Sequence, residues 1–139
     1  MSDRSRRVAG LISFVLAAMV TAGCGGQPAT APTEISLRKM ASYYGMFMSS
    51  HKGTAPANEG ELRAFIKEKA ADADLDGLFR SVRDGQPYVV TYFGAKKVSL
   101  SSVIAYEKEG QAGKRFVAYS TTVVRELDEA EFKLAVDKR

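Results

Sequence analysis

The chain has 139 residues, of which 45% are hydrophobic and 26% are charged, a composition typical of a single globular domain. One cysteine and one histidine exclude an intrachain disulfide, a thiol-based zinc cluster and a redox pair, and they leave His51 as the only residue for histidine-based catalysis. The formal net charge is +4, but beyond the first few residues there is no long basic run and no basic–aromatic stripe, so we expect no binding to nucleic acid.

The amino-terminal segment predicts a secretory signal peptide. It begins with a short polar stretch that contains three arginines and continues without charge up to Cys24. The apolar run Leu11–Val20 is shorter than the roughly 20 residues that a membrane-spanning helix needs, and three small residues follow it. We therefore interpret residues 1–23 as a signal peptide, with a permanent anchor as the alternative. The pair Arg6-Arg7 leaves the choice between Sec and twin-arginine export open.

The sequence Val-Thr-Ala-Gly-Cys at residues 20–24 resembles the bacterial lipobox. The resemblance implies cleavage between Gly23 and Cys24, a diacylglycerol linked to the Cys24 sulfur and an acylated new amino terminus. Several acyl chains on one residue give stable anchoring where one chain gives only marginal binding. By the sorting rule of two-membrane bacteria, Gly25 implies the periplasmic face of the outer membrane. The alternatives are ordinary cleavage nearby with a free thiol, or no cleavage.

The mature chain is predicted to consist of a tether and one domain. Removal of the leader takes three arginines and one aspartate with it and lowers the net charge from +4 to +2. Residues 24–33 are small and uncharged and contain two prolines, which predicts a flexible tether between the lipid and the domain. Residues 34–139 then form the domain.

The first helix is predicted over residues 34–51, with Thr33 as its N-cap and Gly53 beyond its end. At 100° per residue one face collects the side chains expected in the core: Leu37, Met40, Tyr44, Phe47, Met48 and His51. We expect His51 to cap the helix or to pack half-buried rather than to take part in catalysis or metal binding.

In the rest of the domain the spacing of apolar residues changes from a helical period to alternation and then back to a helical period. Asn58 and Glu61 form a capping box, which predicts a second helix over residues 59–70 with Leu62, Phe65 and Ile66 facing inward. Strands are predicted at 88–93, 103–107, 115–119 and 123–126, with a brief edge segment at 98–100. A closing helix is predicted after a second capping box, Asp128 with Glu131, and Phe132 and Val136 would dock it. This order predicts an α+β domain, with N-terminal helices packed on a small antiparallel sheet of three to four strands and a short C-terminal helix.

The segment from Asp72 to Gly77 matches the first half of an EF-hand calcium loop. Asp72, Asp74 and Asp76 would supply alternating oxygen ligands, but the twelfth position, where such a loop carries a bidentate glutamate, is Arg83. A solvated turn between helix and strand is the favoured interpretation, and calcium bound by the three carboxylates is the alternative. Apart from the covalent lipid on Cys24, no other cofactor is predicted.

The sequence contains no motif that dictates a reaction. No nucleophile elbow surrounds a serine, and no glycine-rich loop is spaced to hold a phosphate. A catalytic pair of carboxylates is created by the fold and cannot be assigned from spacing. We therefore predict that the protein is not an enzyme.

Across residues 37–138 the layout resembles the globular domain of type II secretion pseudopilins, and of pseudopilin-like domains in small exported bacterial proteins. The residues that carry this resemblance are Tyr43-Tyr44, His51-Lys52-Gly53, Pro56, Glu61-Leu62, and the stretches 78–88, 103–107, 113–117 and 129–132. The resemblance implies an α+β fold and an accessory role in type II secretion or pilus-like machinery. A lipobox occupies the place of the long apolar helix through which true pseudopilins polymerise.

These features together predict a non-catalytic, lipid-anchored protein of the cell envelope. It would present a small α+β domain to an unidentified envelope partner. The accessory role in secretion machinery and a calcium-stabilised binding domain are the alternatives.

Overall fold

The computed structural model describes residues 31–137. It confirms the predicted α+β class, with helices, a four-stranded antiparallel sheet and a short C-terminal helix. The elements in chain order are α1 (Pro32–Ser50), α2 (Glu59–Lys69), α3 (Leu75–Leu78), β1 (Val89–Val90), β2 (Val103–Tyr106), β3 (Lys114–Tyr119), β4 (Val124–Asp128) and α4 (Glu129–Asp137). The strands lie in the order of the chain, and each pairs antiparallel with the next. None of the helices within residues 31–137 is long and apolar enough to cross a membrane.

Helix α1 begins two residues before its predicted start, so the prediction of Thr33 as N-cap is wrong. The fixed φ of Pro32 suits the first helical position, and Ala31 precedes it as N-cap without a side-chain hydrogen bond. Thr33 lies in the first turn, buried, with its Oγ1 3.5 Å from the Oγ of Ser81. Pro32 and Thr33 therefore belong to the helix rather than to the tether, and the threonine hydroxyl serves a tertiary contact.

The buried face of α1 is largely the predicted one. Its buried apolar residues are Leu37, Met40, Ala41, Tyr44 and Phe47. Met48 is only partly buried, and His51 lies exposed at the C-cap, where its ring stacks on Phe47 with centroids 4.0 Å apart. After the C-cap, Lys52 at φ +55° turns the chain into the left-handed region, and Gly53, at φ +86°, donates its N–H to the Met48 carbonyl at 2.8 Å.

Helix α2 starts and packs as predicted. The Oδ1 of Asn58 accepts the N–H of Glu61 at 3.0 Å, and the Glu61 carboxylate accepts the N–H of Ala57 at 2.9 Å. The three inward-facing residues of the prediction are buried: Leu62, Phe65 and Ile66.

Strand β1 is much shorter than the predicted strand over residues 88–93. Only Val89 and Val90 pair with β2, and Thr91 adds one N–H bond to the Ile104 carbonyl at 2.8 Å. The chain then leaves the sheet because Gly94 is bound to the loop after α1. It accepts the N–H of Ala55 at 3.1 Å and donates to the carbonyl of Pro56 at 3.2 Å.

The edge segment predicted at residues 98–100 forms no strand. The N–H of Ser99 donates to the Oγ of Ser102 at 3.0 Å, and the N–H of Ser102 donates to the carbonyl of Ser99 at 3.0 Å. Serine hydroxyls that bond to nearby backbone groups compete with sheet pairing, and here they close a local turn.

Strand β3 separates two apolar clusters, one on each face of the sheet. Phe116 and Ala118 belong to the larger cluster, which α1 covers, whereas Val117 belongs to the smaller one. The smaller cluster consists of Val103, Val117, Leu127 and Phe132.

Helix α4 closes the smaller cluster and has the predicted capping box. The Asp128 carboxylate accepts the N–H of Glu131 at 2.9 Å, and the Glu131 carboxylate accepts the N–H of Asp128 at 3.2 Å. Phe132 is buried and Val136 is partly buried against the same cluster, so both predicted docking residues are confirmed.

Candidate functional site

The sequence predicted one covalent site and one weak metal site. The cleavage and lipidation residues, Gly23 and Cys24, lie outside residues 31–137, and their chemistry stays a prediction.

The three aspartates of the half EF-hand motif have separate roles in the structure. Asp74 caps α3, since its carboxylate accepts the N–H of Gly77 at 3.0 Å. The carboxylate of Asp76 accepts an N–H of Arg63 at 3.1 Å, and Asp72 is exposed. Within residues 31–137 no group of three histidine, cysteine, aspartate or glutamate side chains is arranged to hold a metal ion. Calcium binding at this loop stays a prediction for titration to test.

The main electrostatic feature is a buried ion pair, Arg83 with Glu107, which sequence reasoning missed. Glu107 is fully buried, and its carboxylate accepts from Arg83 Nη2 at 2.6 Å and Nε at 3.3 Å. It also accepts from the Ser81 hydroxyl at 2.7 Å and from the Phe116 N–H at 2.8 Å. Four donors therefore surround the two carboxylate oxygens, which is how a buried charge is tolerated.

Arg83 links this buried carboxylate to the surface. Its guanidinium lies over the Phe116 ring, 4.4 Å from the centroid, and also donates to the Glu126 carboxylate and, at 3.1 Å, to the Lys114 carbonyl. Desolvation lowers the pKa of Arg83, but hydrogen bonds to Glu107 and Glu126 outweigh it, and the net result is a raised pKa. The guanidinium is therefore permanently charged and fixes the loop after α3 onto β2, β3 and β4.

The same loop is bound a second time through Asp84. Its carboxylate accepts the backbone N–H groups of Gln86 at 2.9 Å, Glu109 at 3.1 Å and Gly110 at 2.8 Å. Desolvation raises the pKa of Asp84, but these hydrogen bonds lower it by more, so the pKa lies below its ordinary value. Gly110, at φ +73°, fits this turn because a Cβ there would lie 2.1 Å from the Lys114 carbonyl oxygen.

The hydrogen bonds of Ser81, Arg83, Asp84 and Glu107 form one network, which we call the clamp. The two charges of the buried pair neutralise each other, and four donors occupy the oxygens of the Glu107 carboxylate. The network, with Ser81 as a shared hydroxyl, holds loop 81–86 against the turn between β2 and β3. The available signal for this pair in the sequence was Glu107, a charged residue directly after the apolar stretch Val103–Tyr106. Its partner Arg83 lies 24 residues earlier in the chain, and no local pattern connects the two.

Two open grooves lie on the surface of the domain. One, of about 600 Å³, runs between α4 and the serine turn, and its lining includes Phe93, Lys97, Tyr119 and Leu134. The other, of about 830 Å³, lies between the end of α1 and α2 and includes Phe47, His51, Phe65, Glu61 and Glu68. The Nδ1 of His51 lies 2.8 Å from the Phe47 carbonyl, so one ring nitrogen of this histidine is already used within α1.

Burial also affects three tyrosines. Desolvation raises the pKa of Tyr44 and of Tyr88 to about 12, and it raises that of Tyr92 further. The hydroxyls of Tyr44 and Tyr88 donate to the carbonyls of Thr91 and Thr33. The hydroxyl of Tyr92 is buried and has no hydrogen-bond partner among residues 31–137.

The chain matches no protein-family model, no curated protein and no solved structure.

Proposed function

We propose that the protein is a lipid-anchored lipoprotein of the cell envelope whose domain is a non-catalytic interaction module. The observation that carries the proposal is the leader, in which an uncharged apolar run ends in Ala22-Gly23-Cys24. Cys24 is the only cysteine of the chain, and lipidation gives it a function. In a cell with two membranes, the anchor would lie on the periplasmic face of the outer membrane.

The arrangement of charges in the domain supports an interaction module. The fully buried Glu107 carboxylate and the largely buried Arg83 guanidinium bind each other and backbone groups. Large apolar side chains lie on the surface instead, among them Leu100 at 80% exposure and Leu134 at 65%. Leu134 lines the groove beside α4, and apolar side chains that form a contiguous exposed patch are typical of surfaces that bind another molecule.

The proposal is tested by the intact mass of the protein purified from membranes, beside a Cys24→Ser variant. We expect a wild-type mass equal to residues 24–139 plus acyl chains, and a variant that is left uncleaved or is released from the membrane. A Cys24→Ala variant removes the side-chain nucleophile completely, whereas Cys24→Ser leaves a hydroxyl in its place. An unmodified wild-type mass would contradict the anchor.

A second candidate function is an accessory role in type II secretion or pilus-like machinery. The long α1 lying on an antiparallel sheet is the arrangement that the pseudopilin resemblance implies, and this supports the candidate. Deletion of the gene should then reduce secretion, and machinery subunits should co-purify with the anchored protein. Normal secretion together with no co-purifying subunit would remove this candidate.

A further inference from the structure

The solvent-facing side of α1 carries apolar and basic residues close to the tether. Ile35, Arg38 and Lys39 lie in its first two turns, opposite the buried face, and line a shallow depression together with Ser42. Ile35 is 55% exposed. An isoleucine beside two cations on an exposed helix face offers lipid headgroups both an apolar and an electrostatic contact. We refer to Ile35, Arg38 and Lys39 as the tether-end surface.

The charge of the tether-end surface is positive. Glu34 is the only acidic residue in the first two turns of α1, and it accepts a hydrogen bond from Arg38 at 2.5 Å. Lys39 forms no ion pair within the part of the chain that the structure describes. An anionic headgroup layer attracts each such cation, and the attraction decays within a Debye length of the surface.

The position of the anchor determines which surface this end of the domain meets. Eight peptide units separate Cys24 from Pro32, which limits the distance between them to about 29 Å even at full extension. We propose that the tether-end surface rests on anionic lipid headgroups, so that the anchored domain docks on the membrane; this rests on the proposed lipidation of Cys24. The anchor keeps headgroups at a high effective concentration, so a weak contact suffices.

Energy transfer to the membrane measures this contact directly. The chain has no tryptophan, and Met46, 44% exposed on the same side of α1, is a suitable site for one. The lipidated Met46→Trp protein is reconstituted into vesicles of phosphatidylcholine, with and without phosphatidylglycerol, that carry a dansyl-labelled lipid. We expect more transfer with phosphatidylglycerol at low salt, and a loss of this gain at high salt.

Charge reversal identifies the residues responsible. Adding Lys39→Glu should lower the equilibrium constant for docking by about fivefold or more, because a cation near the anionic surface is replaced by an anion. Lys133→Glu on α4, which packs on the other sheet face, makes the same charge change and should leave transfer unchanged. The Ile35→Ser variant should also reduce transfer, without a change in net charge.

Equal energy transfer with and without phosphatidylglycerol, or energy transfer that Lys39→Glu does not change, would overturn the proposal. A protein partner would then be the occupant to test for this surface. An intact mass on the same sample separates the two proposals. If Cys24 carries no acyl chain, lipidation is wrong, and coupling the Cys24 thiol to a maleimide lipid tests the docking surface by itself.

Discussion

Replacing Arg83 by methionine tests the role of the buried ion pair. The methionine keeps an apolar stem over Phe116 but removes the guanidinium from a carboxylate that has no exposure to solvent. Breaking a buried pair by removing one partner typically lowers the free energy of unfolding by about 3–5 kcal/mol. The free energy of unfolding of such a domain is roughly 5–15 kcal/mol in total, and this loss lowers the melting temperature by about 12 °C or more.

The assay is urea unfolding followed by far-ultraviolet circular dichroism. The double variant Arg83→Met/Glu107→Gln removes both charges and keeps an acceptor for the Phe116 N–H, so it should regain about half of the loss. Glu126→Gln is the matched control. Because the Glu126 side chain is 36% exposed, its pairing with Arg83 should contribute less than about 1 kcal/mol. An Arg83→Met variant whose free energy of unfolding lies within about 1 kcal/mol of wild type would refute the reasoning. So would a double variant that is no more stable than Arg83→Met.

Three further predictions concern Tyr92, Asp84 and the three aspartates of residues 72–76. Tyr92→Phe should leave the free energy of unfolding unchanged or raise it, since the buried hydroxyl has no hydrogen-bond partner in the part of the chain that the structure describes. A loss in urea titration above about 1 kcal/mol would reveal a bound water or ligand. Because the folded pKa of Asp84 is lowered, its stabilisation is present above its unfolded pKa and is lost as pH falls through the folded pKa. The Asp84→Asn variant should therefore be less stable than wild type by about 1–2 kcal/mol near neutral pH, and the difference should shrink as pH falls from the unfolded pKa of an aspartate through the lowered folded pKa. Millimolar calcium should leave the melting temperature unchanged if Asp72, Asp74 and Asp76 form a solvated turn, whereas a rise that triple Asp→Asn substitution abolishes would establish a site.

The features that sequence reasoning predicted correctly depend on residues close together in the chain. Both capping boxes, at Asn58 and Asp128, need only a glutamate three residues later, and the buried face of α1 follows from its own period. The fold class followed because the order of helices and strands leaves few ways to bury their apolar faces.

The features that were missed depend on contacts between distant residues. The hydroxyl of Thr33 suits an N-cap, but its position in the fold places it against Ser81, 48 residues away. Likewise, Arg83 and Glu107 meet only because the loop after α3 packs against the turn between β2 and β3. A residue type and its spacing do not determine such a contact, and for this reason the clamp was not predicted.

The division of the core into two clusters has a consequence for local unfolding. Helix α4 has nine residues and contributes one fully packed side chain, Phe132, to the smaller cluster, whereas α1 covers the larger one. Amides of α4 should therefore exchange with deuterium through an opening that leaves α1 intact. Each opening would expose Val117 and Leu127 to solvent, so the folded protein would transiently present the apolar face of the sheet beneath α4.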